Sequence, residues 1–467
     1  MQKSILTEII ASLNKKEIRD INKFLQSPSH NQREDVRNLF TFLVKGHLQQ
    51  TDLDKEKAWK AIFPDKPYDD AYMRQVMYFL LKAIEEFLVF AHLSNDPVDF
   101  QLILCKIFRN RRLSKAYRQA HRLGEEYLEK QALRNSYYLR NRYYFELEEY
   151  EYLMSITQNA PVNLQETADA LNKWFIAEKL QISTAMTAHR RVYQKAHYRF
   201  DLLEESLRHV ANHPDLLQTE AIAPYYNAWQ ALSQPEGDHY FDDFERIVLE
   251  EGETRFPADE LRSLYQAGLN FCVAKVNKGF TEYSKRALRI YQRGLENGTL
   301  RPLNRYLFGN AVAFALKSRD FSFAEDFVKR YQTYLTDEKE RESIVNFNLS
   351  RIYFEKGDYA RAQVLLRSFE YDDMLLNIIA KTMLLKIYYE EDEYDAFESL
   401  LDSLRIYLKR KEALDPERKA AYKNTVGMMR RLLHLRPYSK SQRERLRKQV
   451  ETTNPLMERE WLLRQLS

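Results

Sequence analysis

His209 and His213 stand four residues apart, a spacing that puts both imidazoles on one helix face, where they could share a zinc ion. Residue 210 is Val, where a zinc protease needs a glutamate as general base, and Pro214 follows at once. A pair at the last turn of a helix is the reading this favours. His189 and His197 have neither cysteine nor carboxylate at ligand spacing. The run Glu390-Glu391-Asp392-Glu393 collects carboxylates, but acid–base chemistry needs two held in different, partly buried environments. Four in a row read instead as a solvated edge at a helix end. Cys105 and Cys272 are too few and too distant for a metal or redox motif. No glycine-rich phosphate loop and no nucleophile elbow is present. The expectation is therefore a non-enzyme, with no catalytic residue, no metal and no cofactor.

Tyrosine is abundant, at 31 residues, and Tyr137, Tyr138, Tyr143 and Tyr144 are interleaved with Arg134, Arg140 and Arg142. Such a cluster could stack bases and hold phosphates. It could equally fill seams between helices, with each hydroxyl kept wet. Glu146, Glu148, Glu149 and Glu151 follow directly and would repel a phosphate backbone. The stretch Asp54 to Leu88 has a helix–turn–helix look, yet its second helix opens on Asp69-Asp70 and offers only Arg74 and Lys82, the wrong charge for a groove reader. Net charge is only +4. It is unevenly spread: residues 403–448 hold 15 Lys and Arg against 4 acids. That polarity suits one layer of a stack pairing with the next, or a charged end offered to a partner. Nucleic acid is disfavoured as a partner.

The elements that must position these residues are helices. Glycine numbers 11 in 467 residues, about a third of average usage, and sheets and phosphate loops both draw on it. The apolar runs are short or interrupted, as in Phe79-Leu80-Leu81-Lys82, so no membrane span is expected. The opening Met1-Gln2-Lys3-Ser4-Ile5-Leu6 lacks the apolar centre of a signal peptide, and a cytoplasmic location is the expectation. Residues 1–95 read as an N-terminal helical module: Ser4–Leu13, then Lys15–Leu25 capped by Asn14 and stopped at Ser27-Pro28. A third helix after Asn31 carries Val36, Leu39, Phe40 and Leu43, then comes Asp54–Phe63, and a long helix starts at Asp69 or Asp70. On Phe24-Leu25-Gln26-Ser27-Pro28, Asn31 and Leu39-Phe40, this block resembles the start of an uncharacterised family of bacterial helical proteins. That resemblance brings no activity with it.

A second pattern starts near residue 97. In Leu349 to Ala362, an apolar and a small residue precede Tyr353, Gly357-Asp358-Tyr359 makes a turn, and Ala362 follows. The pattern returns 35 residues later as Leu384, Tyr388, Asp392, Tyr394 and Phe397. It appears 38 residues earlier as Ala311, Ala315, Arg319-Asp320-Phe321 and Ala324, and remotely as Ile103, Ile107, Arg111, Leu113 and Ala116. This resembles the tetratricopeptide repeat, in which antiparallel helix pairs recur with a period near 34 residues and stack. Phe369 and Leu404 depart from it, standing where a small residue is expected. The fold expected is all-α. A tetratricopeptide-like helical-repeat superhelix would run over 96–437, irregular in 130–300 with a helix–turn–helix around Asn277-Lys278-Gly279. Basic capping helices would fill 438–467, with Asn454-Pro455 as the cap and first residue of the last.

The resemblance implies that the first helix of each pair lines a concave groove. Arg351 and Phe354, Lys386 and Tyr389, and Lys317 would then face it, forming a mixed basic and aromatic surface for an acidic or aromatic peptide. The two-carboxylate clamp of chaperone-binding members is absent, since Phe347 and Arg351 occupy its lysine and asparagine positions. The expected function is a non-catalytic interaction scaffold for a protein or peptide partner. The alternative is a nucleic-acid-binding or ligand-sensing regulatory protein with helical repeats.

Overall fold

A computed structural model describes residues 4–49, 54–157, 161–192, 196–233, 238–336, 338–367, 374–410, 416–435 and 439–467. Among these the chain is all-α. Helices follow one another from Ile5–Ser12 to Arg459–Gln465, and the bridge between Leu303 and Leu335 is an isolated one. No described helix is long and apolar enough to cross a membrane. By its internal contacts the chain divides into residues 1–178 and 179–467, the division falling within the helix Leu164–Val192.

In the first unit the caps that start the helices are those the side chains dictate. Asn14 Oδ1 accepts from the backbone N–H groups of Lys16 and Glu17 at 2.9 and 3.0 Å, while Glu17 returns a carboxylate to Asn14 N at 2.8 Å. This capping box satisfies donors that the first helical turn leaves open. Asp69 caps the long helix Asp70–Asn95 with one bond, its Oδ1 accepting from Tyr72 N at 3.0 Å. After the stop at Ser27, Asn31 donates to the carbonyls of Leu25 and Arg33, both at 2.9 Å, and so fixes the turn into Glu34–Leu48. Leu6, Ile10, Ile21, Leu25, Leu39, Phe40, Leu43, Trp59, Met73, Val76, Leu80 and Ile84 share one core. Further along, a Cβ at Gly124 would run into the Phe145 ring, so glycine is what lets Ser114–Lys130 approach Ser136–Ile156.

Five helix ends among the described residues close with one geometry. Arg112, Gly279, Arg319, Gly357 and Asp392 adopt the left-handed conformation, with φ of 57°, 98°, 57°, 79° and 57°. In each case the next residue's N–H donates to the carbonyl five positions back. These bonds are Leu113 to Phe108 (2.9 Å), Phe280 to Lys275 (3.1 Å), Asp320 to Ala315 (2.9 Å), Asp358 to Tyr353 (2.9 Å) and Glu393 to Tyr388 (2.8 Å). The left-handed residue's own N–H reaches the carbonyl three positions back. Both bonds satisfy carbonyls that a helix end strands, and the chain reverses at once into the next helix. Three of these stops separate the helix pairs Arg305–Lys317 with Phe321–Tyr331, Arg341–Glu355 with Tyr359–Arg367, and Met374–Glu390 with Tyr394–Arg410. Ala324 and Ala362 are fully buried in the second helices, and Phe397 is equally buried at the matching place in the third pair.

Two expectations are corrected. In the pair Pro97–Asn110 and Ser114–Lys130 the turn forms at Arg112, but Ile103 and Ile107 are 42% and 38% exposed. The stripe Val98, Leu102, Cys105 is also at helical spacing, and it is this stripe that packs inward. Asn454-Pro455 does not start a helix. Its peptide bond is cis, and the last helix begins at Arg459. Tertiary contacts hold this loop: Asn424 donates to Pro455 O at 2.9 Å, and Thr425 Oγ1 donates to Met457 O at 2.9 Å while accepting from Met457 N at 3.1 Å. Phe369 lies outside the described residues.

The stops carry a testable energetic signature. A left-handed conformation costs an L-residue about 1–2 kcal/mol and glycine almost nothing, against a smaller entropic penalty for glycine. In urea unfolding, Gly357→Ala should lose about 1 kcal/mol and Arg319→Gly should gain about 0.5–1 kcal/mol. A second test concerns His121, whose Nδ1 lies 3.5 Å from Glu125 Oε2 and whose Nε2 lies 3.3 Å from Phe145 O. Burial disfavours the imidazolium, but Glu125, Glu149 and the Phe145 carbonyl together outweigh it and raise the pKa above 6.5. The contact with His121 in turn holds Glu125 below 4.5. The histidine's share of stability is full below pH 6.5 and lost as pH rises through its raised pKa. The glutamate's share is present above pH 4.5 and lost as pH falls. The urea midpoint should therefore decline as pH rises above about 6.5, and His121→Gln should flatten that decline.

Candidate functional site

The three first helices Arg305–Lys317, Arg341–Glu355 and Met374–Glu390 each turn a short stretch toward one cavity of about 280 Å³. Ala313, Leu316 and Lys317 come from the first, Arg351, Phe354 and Glu355 from the second, and Ile379, Met383 and Lys386 from the third. Glu458, from the loop before the last helix, completes the lining. Four of the five residues expected at the groove, Lys317, Arg351, Phe354 and Lys386, thus meet. The fifth, Tyr389, does not line this cavity. Its ring packs 5.5 Å from Trp461 and 5.6 Å from Phe397, inside a seam.

Each basic residue is held differently. Lys317 is exposed. Arg351 donates from Nη1 to Gly309 O and to Asn348 Oδ1, both at 3.1 Å, with its guanidinium 5.8 Å from the Phe347 ring centroid. Burial pushes its pKa down to about 10, an effect that Glu355 opposes. Lys386 donates to Glu458 Oε2 at 2.8 Å and sits 4.7 Å from the Phe354 ring centroid. Its side chain is 13% exposed, against 32% for Glu458. Buried cations beside aromatic faces gain from the ring quadrupole, which helps offset the loss of water around them.

A second cleft of about 930 Å³ adjoins this one and shares Phe354, Glu355, Lys386 and Glu458 with it. One wall is the turn from Phe354 to Tyr359, and the other is the C-terminal helix with Arg459, Trp461 and Arg464. Trp461 is 2% exposed, and its indole N–H donates to Glu390 Oε1 at 2.8 Å. Arg459 donates to the carbonyls of Val450 and Thr453, both at 2.6 Å, tying the loop to the end of Lys440–Thr452. Sequence reading missed Glu458 and this wall. In the sequence this region reads only as the last of the capping helices expected over 438–467.

The other chemistry-bearing residues serve the fold. In Glu390–Glu393, Glu390 accepts from Trp461 and Gln465, Asp392 from Tyr394 at 2.6 Å, and Glu393 from Gln363 at 3.2 Å. His213 Nδ1 donates to His209 O at 2.9 Å and the two rings stack, closing the helix Leu203–Asn212. Arg134 lies over Tyr138 and Arg140 over Tyr137, each at 4.4 Å. Arg140 pairs with Asp99 at 3.4 Å and Arg142 with Glu129 at 3.3 Å, so these arginines are already neutralised within their own unit. On Asp70–Asn95, Arg74 pairs with Asp70 at 3.0 Å and Lys82 with Glu85 at 2.6 Å. Cys105 and Cys272 are buried, and burial pushes both thiols up to about 12. Among the described residues no group of three or more His, Cys, Asp or Glu could hold a metal.

Compared with protein-family models and with curated proteins, the chain matches none.

The C-terminal wall belongs to a core that also contains Leu385, Phe397, Leu401, Met429, Leu446 and Val450. Trp461→Ala should lower unfolding stability by about 3–5 kcal/mol, through lost burial plus the cavity left behind. A urea titration followed by helical circular dichroism measures it.

Proposed function

We propose that this chain is a non-catalytic cytoplasmic interaction scaffold, a tetratricopeptide-like stack of helix pairs that receives a protein or peptide partner along the face of its first helices. The observation that carries this reading is the convergence of Lys317, Arg351, Phe354 and Lys386, from three successive helix pairs, on one cavity. A surface built from side chains of successive helix pairs suits an extended ligand that crosses them. The recurrent left-handed stops support it too, because identical reversals set successive first helices in comparable positions. Arg351, Phe354 and Met383 are of the residue types enriched at interface cores.

Lys317 and Phe354 are the residues to test, since Arg351 and Lys386 also hold internal contacts. The purified full chain should bind a subset of an array of random dodecapeptides. Phe354→Ala should weaken those peptides about tenfold or more, and Lys317→Glu should remove the acidic ones first. Lys130→Glu, exposed and in the other unit, should bind as the parent does. Equal binding by all four proteins would contradict the groove assignment.

A further inference from the structure

The cavity already contains one carboxylate that is foreign to its three helices. Glu458 lies 72 residues from Lys386 in the chain, yet its Oε2 accepts from Lys386 Nζ at 2.8 Å. Glu458 also holds φ at 56°, in the left-handed region that an L-residue enters only at a cost. Beside it, Arg351 spends its hydrogen bonds on neutral oxygens, Gly309 O and Asn348 Oδ1. Among the described residues no carboxylate lies within ion-pair distance of that guanidinium. The cavity therefore holds two partly desolvated cations, Arg351 and Lys386, with Glu355 from one of its own helices and Glu458 presented from a loop as the acid that pairs with Lys386.

We infer that Lys386 and Arg351 form a receptor for an acidic side chain of the docked partner, and that Glu458 is the internal placeholder which the incoming carboxylate displaces. Guanidinium and ammonium donors select carboxylate oxygens through charge-assisted hydrogen bonds, which gain strength where water is scarce. The apolar side chains Leu316, Ile379 and Met383 line the same cavity, so the acid that fits is followed or preceded by an apolar residue. Displacement needs only a side-chain rotation of Glu458. The loop itself stays anchored through Thr425, Asn424 and Arg459, and the last helix stays in its core through Trp461 and Leu462. The placeholder keeps Lys386 paired in the free protein and sets a threshold that weakly acidic ligands fail to pass.

It presupposes that the groove is the docking surface, and the experiment separates the two ideas. The full chain, Glu458→Gln and Glu460→Gln are each presented to the same random dodecapeptide array, with circular dichroism confirming equal helicity. Glu460 lines the adjoining cleft and is exposed, so its substitution makes the same charge change without freeing Lys386. Glu458→Gln should bind acidic peptides about fivefold or more tightly than the parent, while Glu460→Gln stays within about twofold. Lys386→Gln should lose the acidic preference while keeping apolar peptides. If both glutamate substitutions raise binding equally, only general charge is at work and the placeholder is overturned. If peptides bind through Phe354 with no gain in Glu458→Gln, the placeholder fails and the groove stands. If no protein binds any peptide, both fail together.

Discussion

A helix that must be followed immediately by its antiparallel partner has to satisfy its last carbonyls and reverse direction within a few residues. The left-handed stop does both. It recurs at Arg319, Gly357 and Asp392, and each time the next residue's N–H closes on the carbonyl five positions back. What the site owes to this is position. With the same stop at each level, the C-terminal halves of Arg305–Lys317, Arg341–Glu355 and Met374–Glu390 carry Lys317, Phe354 and Lys386 to one cavity. Two of the stops use residues other than glycine, and the surrounding packing must compensate for their strain. Buried Ala324 and Phe397, in the helices that follow Arg319 and Asp392, are part of that packing.

The electrostatics of the cavity follow from the same layering. Helices that approach closely leave long cationic side chains little water, so Arg351 turns to a backbone carbonyl and the Asn348 amide, and Lys386 to Glu458 and the face of Phe354. Leaving a buried charge without partners costs several kcal/mol, and each of these contacts reduces that cost without filling the cavity. The described basic residues of 403–448 lie outside this lining, in a stretch whose helices Tyr394–Arg410, Pro416–Leu433 and Lys440–Thr452 add apolar side chains to the core of Trp461 and Leu462.

Legibility in the sequence tracked the range of the interaction. Caps and stops are local, and Asn14, Asp69 and Gly357 could be read directly because a side chain or a missing Cβ meets backbone within a few residues. The period-35 spacing sets Arg351 level with Lys386 and Phe354 level with Tyr389, and the period-38 spacing sets Lys317 level with Glu355. Tyr389 misled because one turn of helix separates a groove position from a seam position, and the ring that decides between them is Trp461, 72 residues on. Asn454-Pro455 reads as a cap only while Asn424 and Thr425 are ignored. Glu458 left no periodic mark, since it sits in a loop whose course is set by contacts distant in the chain. In the pair around Arg112 two apolar stripes at helical spacing compete, and periodicity alone does not choose between them.

The most direct test of the account is hydrogen–deuterium exchange on the full chain with and without a peptide selected from the array. Protection should concentrate in residues 305–317, 341–355 and 374–390, together with the loop at 454–458. Protection confined to the basic helix Lys440–Thr452, or to residues 1–178, would contradict it.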